Sequence, residues 1–435
     1  MVDSKEEKYP DFVCFHFLDA NGELKSMEEF GPNVPKFIKE GLNVDGSSIA
    51  GMSKIEKSDL KLIPEKDSFL KVKVGDFESY RILCKSMTDQ GLPHPNDPRQ
   101  IFQKVIDKAH NMGIEPYMFS EIEFYIVDKE TGKTSDNAGY CSLPPEDVSL
   151  DFRHDLGKAC LDCKMAVKRI HHENGPGQNE IELNLTPCMK NADDTVLAMW
   201  ILRLLADKRK QKIIFSPKPF TGLAGNGLHH HILIRDLKTG ENLMMNKEFK
   251  GDPSNEACFD QRLSTMCKQF IAGLLKYADD ITSVFAGSKE TFERLKPGFE
   301  APIFKAWDFS NRTALVRVPK TSIEMSRCEY RGGDLSWSVH LYGAVLLAAG
   351  LKGIEENLSC PEKANFNVEK CSQEELEKHK ISPVPSSFEQ TTAILTGSKF
   401  LKEALGEEMV HHLIQRNKKI MNAMHCPNCN PSHEH

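Results

Sequence analysis

The sequence has no apolar run long enough to cross a bilayer. Its longest, Tyr342 to Leu351, is about half of the roughly 20 residues that a spanning helix needs. Positive charge is not in excess either. Lys and Arg number 56 against 63 Asp and Glu, a net charge of −7, which argues against a nucleic-acid backbone as partner. The first residues, Met1-Val-Asp-Ser-Lys-Glu-Glu-Lys8, carry charge and no apolar stretch, so no secretory signal is read there. A disulfide framework is missing too: 13 Cys, an odd number, are scattered from Cys14 to Cys429 and fit reduced thiols. The expected compartment is the cytoplasm, with no membrane partner. There is no repeat of solenoid or propeller period. No Gly-x-x-x-x-Gly-Lys-Ser/Thr loop and no kinase motif set occurs.

What is there is an ordinary globular composition, 40% apolar and 27% charged, over 435 residues. That length predicts about two to four domains. The opening stretch reads as β-rich. Asp11 to Leu18 is apolar, Asp19-Ala-Asn-Gly22 is turn chemistry, and Glu23 begins a return strand. Phe77 to Cys84 predicts another strand. Gly91-Leu-Pro-His-Pro-Asn-Asp-Pro98 is dense in breakers and marks a domain boundary, giving units 1–95 and 96–435. Asp97-Pro98 then opens a helix, with Ile101, Val105, Ile106 and Ala109 on one face. Helical patterning also covers Leu197–Leu205, Phe259–Tyr277, Ser336–Leu358 (expected against a sheet) and Phe400–Met424. Mixed elements after a β-rich start predict an α+β fold.

Four short segments carry charged side chains two residues apart, so each puts them on one face of a strand. They are Glu121-Ile-Glu123, Glu180-Ile-Glu182, His229-His-His231 and Arg327-Cys-Glu-Tyr-Arg331. Each alone reads as a half-solvated sheet. Together they share glycine-rich neighbours, at Gly175-Pro-Gly177, Gly225-Asn-Gly227 and Gly332-Gly333, that permit close approach to a ligand. Clustered carboxylates with imidazole suit Mg²⁺ or Mn²⁺. Arginines beside them suit phosphate and carboxylate recognition. The combination points to phosphoryl transfer.

In order along the chain, these residues resemble the glutamine synthetase family, type I, the bacterial and archaeal class. The resemblance runs from about residue 10 to 420. It rests on Val44-Asp-Gly-Ser-Ser-Ile49, Glu121-Ile-Glu123, His171-His-Glu-Asn-Gly-Pro-Gly-Gln-Asn-Glu-Ile181, Lys218-Pro-Phe220 with Gly225-Asn-Gly-Leu-His229, Arg294-Leu-Lys-Pro-Gly-Phe-Glu-Ala-Pro302 with Asn311, Arg312 and Arg317, and Arg327-Cys-Glu-Tyr-Arg331. It implies a small β-grasp-like N-terminal domain and a large α/β catalytic domain with a curved antiparallel sheet. It implies ATP as co-substrate and two or more Mg²⁺ or Mn²⁺. Glu123, Glu173 and Glu180 would hold one cation; Glu121, His229 and Glu329 the other. Arg312, Arg317, Arg327 and His231 would meet phosphates, with Arg312 stabilising the transferring group. Gly225, Arg294 and Arg331 would bind L-glutamate. Asp45, Ser48, Tyr140, Glu173 and Glu300 would hold and deprotonate ammonium. The implied assembly is a homododecamer of two hexameric rings, with active sites between subunits.

The chain departs from the family pattern at Ala224-Gly-Asn-Gly227, where an Asn normally contacts glutamate, at Leu233, and at Asp334-Leu-Ser-Trp-Ser-Val-His340. Asn365-Phe-Asn-Val368 has no Tyr to adenylylate. Relatives on this scaffold ligate glutamate to methylamine, ethanolamine or polyamines, and others serve as inactive structural proteins. Retention of Asp45 and Ser48 favours ammonia, and six intact ligand positions disfavour inactivity. Cys160, Cys163 and the tail residues His425, Cys426, Cys429, His433 and His435 read as ordinary side chains rather than zinc ligands. His171 and His172 read as packing or hydrogen-bonding residues.

Overall fold

The computed structural model describes residues 8–251, 258–298 and 301–424. Two sheets organise it. The first has six strands: β1 (Phe12–Leu18), β2 (Leu24–Phe30), β3 (Leu42–Asp45), β4 (Asp59–Pro64), β5 (Leu70–Val74) and β6 (Phe77–Met87). Helix α1 (Val34–Glu40) crosses between β2 and β3. The order is β2-β1-β6-β4-β3 with β5 on β6, and β1 runs parallel to β6. The expected hairpin forms because the Asp19 carboxylate accepts the backbone N–H of Asn21 and Glu23, both at 2.9 Å. Val13, Phe15 and Phe17 of β1 point inward, as their alternation requires.

The breaker-rich segment after β6 is a tight joint rather than a loose tether. Asp97 caps α2 (Pro98–Asn111) by accepting from Arg99 N at 2.9 Å. Its other oxygen accepts from Ser86 N of β6 at 2.8 Å. One carboxylate therefore fixes the helix start against the first sheet.

The second sheet has nine strands: β7 (Ile114–Asp128), β8 (Val167–His172), β9 (Gln178–Leu183), β10 (Thr186–Pro187), β11 (Gln211–Ile214), β12 (Leu228–Asp236), β13 (Trp307–Phe309), β14 (Val316–Val318) and β15 (Cys328–Tyr330). Its path is β13-β14-β15-β12-β7-β9-β8, with β10 and β11 also on β7. The sheet is curled and mixed. This corrects the antiparallel expectation at one place, the parallel pair β13–β14.

Helices cover the rest: α3 (Leu150–Asp162), α4 (Cys188–Lys208), α5 (Phe259–Arg262), α6 (Thr265–Lys276), α7 (Ala278–Phe285), α8 (Lys289–Arg294), α9 (Val339–Glu355), α10 (Gln373–Lys378), α11 (Phe388–Gly397), α12 (Lys399–Leu405) and α13 (Glu407–Met424). Three helical expectations are corrected. The Phe259–Tyr277 pattern breaks at extended Leu263, after which Ser264 caps α6 by accepting from Cys267 N at 2.9 Å. The terminal helix breaks at Gly406, whose φ of +88° is left-handed. The apolar helix α9 packs mainly among α2, α4, α6 and α7 instead of lying on a sheet. Cys160 and Cys163 are buried and unpaired, and burial raises both thiol pKa values, as ordinary reduced thiols require. The tail cluster His425, Cys426, Cys429, His433 and His435 lies outside the described residues. Among the described residues no helix is long and apolar enough to cross a membrane.

A buried ion network joins the two units. Arg99 on α2 meets Asp193 on α4 at 2.8 Å and Glu65, just past β4, at 2.7 Å. His340 on α9 holds the same Asp193 at 2.9 Å. Burial works against the Asp193 carboxylate, but Arg99 and His340 hold it well below the usual range. Arg99→Met strands that carboxylate, and the expected loss of stability is about 3–5 kcal/mol. Chemical denaturation checks this; a loss below about 1 kcal/mol, the value of an exposed pair, would contradict it.

Candidate active site

The four patterned segments converge on one face of the second sheet. β7 is central, with β9 and β12 antiparallel on either side and β15 beyond β12. The register sets Glu121 opposite both Glu182 and His229, Glu123 opposite Glu180, and His231 opposite Glu329. Arg317 on β14 stands opposite Glu329 from the other side. These side chains surround a cavity of about 310 Å³.

Two kinds of carboxylate line it or stand against it. Glu329 is fully buried and pairs with Arg331 Nη1 at 2.6 Å and with Arg317. Glu182 pairs with Lys168 at 2.5 Å and Arg169 at 3.0 Å. Glu121 meets His229 Nδ1 at 3.1 Å and His231 Nε2 at 2.7 Å. Burial opposes its ionisation, but the two imidazoles pull it well below the usual carboxylate range. The second kind has no Lys or Arg in salt-bridge contact among the described residues: Glu123, Glu173 and Glu180. Among the described residues Glu123 accepts one hydrogen bond, from the Gly227 N–H at 2.6 Å. Burial and the neighbouring Glu123 charge push Glu173 up to about 7. Burial and the surrounding Glu121, Glu123, Glu173 and Glu182 charges push Glu180 up strongly. Glu173 and Glu180 lie with His171 in one group whose ligand atoms are all within 4.8 Å of one another, and Glu123 stands opposite Glu180 in register; such a group, short of positive charge, suits a divalent cation.

The imidazoles differ in the same sense. Arg327 Nε donates to His231 Nδ1 at 3.1 Å. That leaves the proton of neutral His231 on Nε2, facing Glu121, so this ring donates rather than ligates. It stacks on Phe119 at 4.0 Å, and Lys168 covers the Phe119 ring at 4.5 Å. His229 has no such arginine and stands between Glu121 and Glu123. It is the ring suited to a metal.

The glycine loop Ala224–Gly227 is shaped by Arg294. A Cβ on Gly227 would lie 2.6 Å from His229 Nε2 and 2.8 Å from Arg294 Nη2. Arg294 itself donates to the carbonyls of Gly332 at 2.8 Å and Arg331 at 3.2 Å. Asn226 points away from the cavity chemistry: it is buried and donates to the carbonyls of Ile214 at 3.1 Å and Ser216 at 2.9 Å.

Of the residues singled out by sequence, Glu121, Glu123, Tyr140, Glu173, Glu180, Gly225, His229, His231, Arg294, Arg312, Arg317, Arg327 and Arg331 all line the cavity. Glu329 lies directly behind it. Asp45 and Ser48 do not. They sit exposed at the end of β3, where Asp45 accepts from Ser47 Oγ at 2.6 Å and Ser48 Oγ at 2.7 Å. Glu300 lies outside the described residues. His171 is nearer the carboxylates than expected, 3.3 Å from Glu180. His172 bonds the Glu173 carbonyl at 2.7 Å and Asp136 at 3.1 Å, as a positioning residue.

Sequence reasoning missed Gln178, Lys168 and Arg169. Gln178 donates to Gly225 O and Asn226 Oδ1, both at 3.0 Å, and so clamps the glycine loop to β9. Its place inside Gly-Gln-Asn-Glu was a usable signal. Lys168 and Arg169 carried none, since two basic residues on an edge strand look like solvated charge.

Comparison with known proteins agrees with this geometry. Family models described as the glutamine synthetase β-grasp domain and catalytic domain match residues 10–89 and 95–426. The glutamine synthetase of Thermotoga maritima is 31% identical over 425 residues, covering 95% of this chain and 93% of that one. That of Pyrococcus abyssi is 31% identical over 421 residues, covering 96% and 92%. The solved structure of GmaS without ligand superposes with a TM-score of 0.83 at 21% identity, covering 96% of this chain and 94% of that one. A structure described as a novel glutamine synthase homolog gives 0.81 at 19% identity, covering 97% and 96%. Two matched domains in order, with relatives matched along nearly their full length, place this chain in the glutamine synthetase family.

Proposed function

We propose that this ligase joins ammonia to the γ-carboxylate of L-glutamate through γ-glutamyl phosphate, giving glutamine, ADP and phosphate, and that it belongs to the type I class. The observation that carries this is the set of acids without a Lys or Arg salt bridge among the described residues, Glu123, Glu173 and Glu180, in one cavity with Arg317 on β14 and with Arg327 and Arg331, which flank β15. Glu123, Glu173 and Glu180 would hold one divalent cation, and Glu121, His229 and Glu329 a second. Bound there, the cations neutralise the triphosphate and orient its γ-phosphate. Arg312, Arg317, Arg327 and His231 face the phosphates. Arg294, Arg331 and the Gly225 backbone fix glutamate so that a γ-carboxylate oxygen reaches the γ-phosphorus in line. Ammonia then attacks the acyl carbon and phosphate leaves.

Ammonium must lose a proton before it attacks. Tyr140 and Glu173 supply part of its site, Glu300 the closing loop, and Asp45 and Ser48 the rest from a neighbouring copy. The last point requires an assembly with active sites between subunits, for which we infer the dodecamer of two hexameric rings. A second reading has one specific support: Ala224 puts a methyl on the cavity wall where the family carries Asn. This departure on the glutamate side fits a relative that uses methylamine, ethanolamine or putrescine as the nucleophile instead of ammonia.

Three outcomes are expected. ADP release with ATP, Mg²⁺ and glutamate is fastest with ammonium among ammonium, methylamine, ethanolamine and putrescine. If only an amine supports turnover, the second reading replaces the first, and no ADP release with any of them removes both. Asp45→Ala lowers the ammonium kcat/KM by about tenfold or more with the ATP KM unchanged. Normal ammonium turnover in that variant would sink the ammonium site. Glu180→Gln weakens Mn²⁺ binding by about tenfold or more in calorimetry; unchanged affinity would remove it from the ligand set.

A further inference from the structure

A second cavity lies where the β1–β2 hairpin meets α4 and the chain leading into α9. Its volume is about 440 Å³, larger than the catalytic one and within the range of small-molecule sites. Leu335, Ser336, Trp337 and Val339 form one wall, within one of the stretches where the sequence departs from the family pattern. Two of the three tryptophans of the chain, Trp200 and Trp337, line it. Met199 and Val339 add apolar surface.

Two polar groups of this cavity lack a partner. Trp337 Nε1 and His16 Nδ1 are both buried without a hydrogen-bond partner. His16 is 3% exposed and packs edge-on against Trp200 at 5.2 Å. Arg203 stands exposed at the rim, its guanidinium 5.4 Å over the Phe215 ring. The carboxylate that acts on it is Glu23, and Glu23 is already bonded to Lys25 at 2.5 Å. No carboxylate is in salt-bridge contact with Arg203 among the described residues.

We propose that this cavity is a second ligand site, taking a small aromatic carboxylate with its ring between the two indoles and its carboxylate on Arg203. Indole faces favour a flat ring in offset or edge contact. A guanidinium without a partner favours a planar, bidentate anion. Glu23 beside it selects against a doubly charged phosphate, because a second negative charge would meet that carboxylate. The wall of this cavity is also continuous with the catalytic one. Arg331 and Gly332, whose carbonyls hold Arg294, lead directly into Asp334, and the Asp334 carboxylate accepts from Ser336 N at 2.9 Å. A ligand on Trp337 therefore bears on the loop that fixes Arg294, and the glutamate KM should change when it binds. That last clause rests on the glutamate assignment above; the binding itself does not.

The test uses the intact assembled protein, with phenylacetate as probe and phenylacetamide as its uncharged counterpart. Phenylacetate is expected to bind saturably by calorimetry, in the range of ~1 mM or tighter, and to change the intrinsic tryptophan fluorescence. Arg203→Met should weaken it by about tenfold or more, while its ligand-free ADP release stays at the wild-type rate. Phenylacetamide should bind weakly to both proteins alike. Trp337→Leu should weaken both probes, and Arg203→Lys should fall between wild type and Arg203→Met. Absence of saturable binding to the wild type overturns the proposal, as when a partner subunit fills the cavity. So does equal affinity for wild type and Arg203→Met, or displacement of phenylacetate by glutamate with ADP, which would place the probe in the catalytic cavity. Binding that follows Arg203 with no change in the glutamate KM would keep the site and remove only the coupling.

Discussion

Like charge held at close range is the constraint around which this molecule is arranged. Glu121, Glu123, Glu173, Glu180, Glu182 and Glu329 all face one sheet cavity or stand against it. Two such charges about 4 Å apart repel by about 4 kcal/mol at the effective dielectric of a protein surface. The fold answers part of that cost with its own cations: Arg317 and Arg331 for Glu329, Lys168 and Arg169 for Glu182, two histidines for Glu121. It leaves Glu123, Glu173 and Glu180 with no Lys or Arg salt bridge among the described residues, and with His171 alone 3.6 Å from Glu173 and 3.3 Å from Glu180. The raised proton affinity of Glu173 and Glu180 is the electrostatic counterpart of that gap. A cation in the gap converts repulsion into coordination, which is why the site reads as a metal centre rather than an acidic surface.

Holding such a cluster requires a rigid frame. β7, at 15 residues, carries Glu121 and Glu123 and pairs with β9, β10, β11 and β12. Shifting the register of β9 by one residue would turn Glu180 and Glu182 to the opposite face. Behind the sheet, α9 is apolar nearly all round and fills the space between α2, α4, α6 and α7. The Arg99–Asp193–His340 network ties α2, α4 and α9 together at their polar points. The cost of burying charge at the network is offset by pairing, and the cost at the cavity is offset only in part. Strain is thus concentrated where ligands bind.

Much of the cavity was legible because strands report their faces through a period of two. Glu121/Glu123, Glu180/Glu182 and His229/His231 needed only that rule. Asp97 was legible because an Asp-Pro pair before an apolar face has one ready helical use. What failed has physical reasons too. Helical periodicity does not see a single extended residue, so Leu263 and the left-handed Gly406 broke runs that looked continuous. Apolarity does not tell a sheet from a helix as neighbour, so the packing of α9 was misplaced. Gln178 acts through two hydrogen bonds to a loop 47 and 48 residues away; the Gly-Gln-Asn-Glu stretch marks the residue but does not name that loop.

The remaining asymmetry is that Asp45 lies away from the cavity of its own chain. It is exposed, yet three hydrogen bonds from Ser47 and Ser48 fix its carboxylate and hold it below the usual pKa. A carboxylate serving only solubility gains nothing from being immobilised, since water solvates it equally well in any rotamer. Immobilisation does help if the group must present charge to something that arrives from outside, because the ordering is already complete before contact. Among the described residues of its own chain, the hydrogen bonds to this carboxylate come only from Ser47 and Ser48. A second copy, placing this loop against the mouth where Tyr140 and Arg312 are exposed, would meet carboxylates that lack positive charge on one side and supply a further oriented anion on the other. Between them a monovalent cation such as ammonium would be stabilised, and in the proposed reaction its loss of a proton would commit the acyl phosphate to nitrogen instead of water.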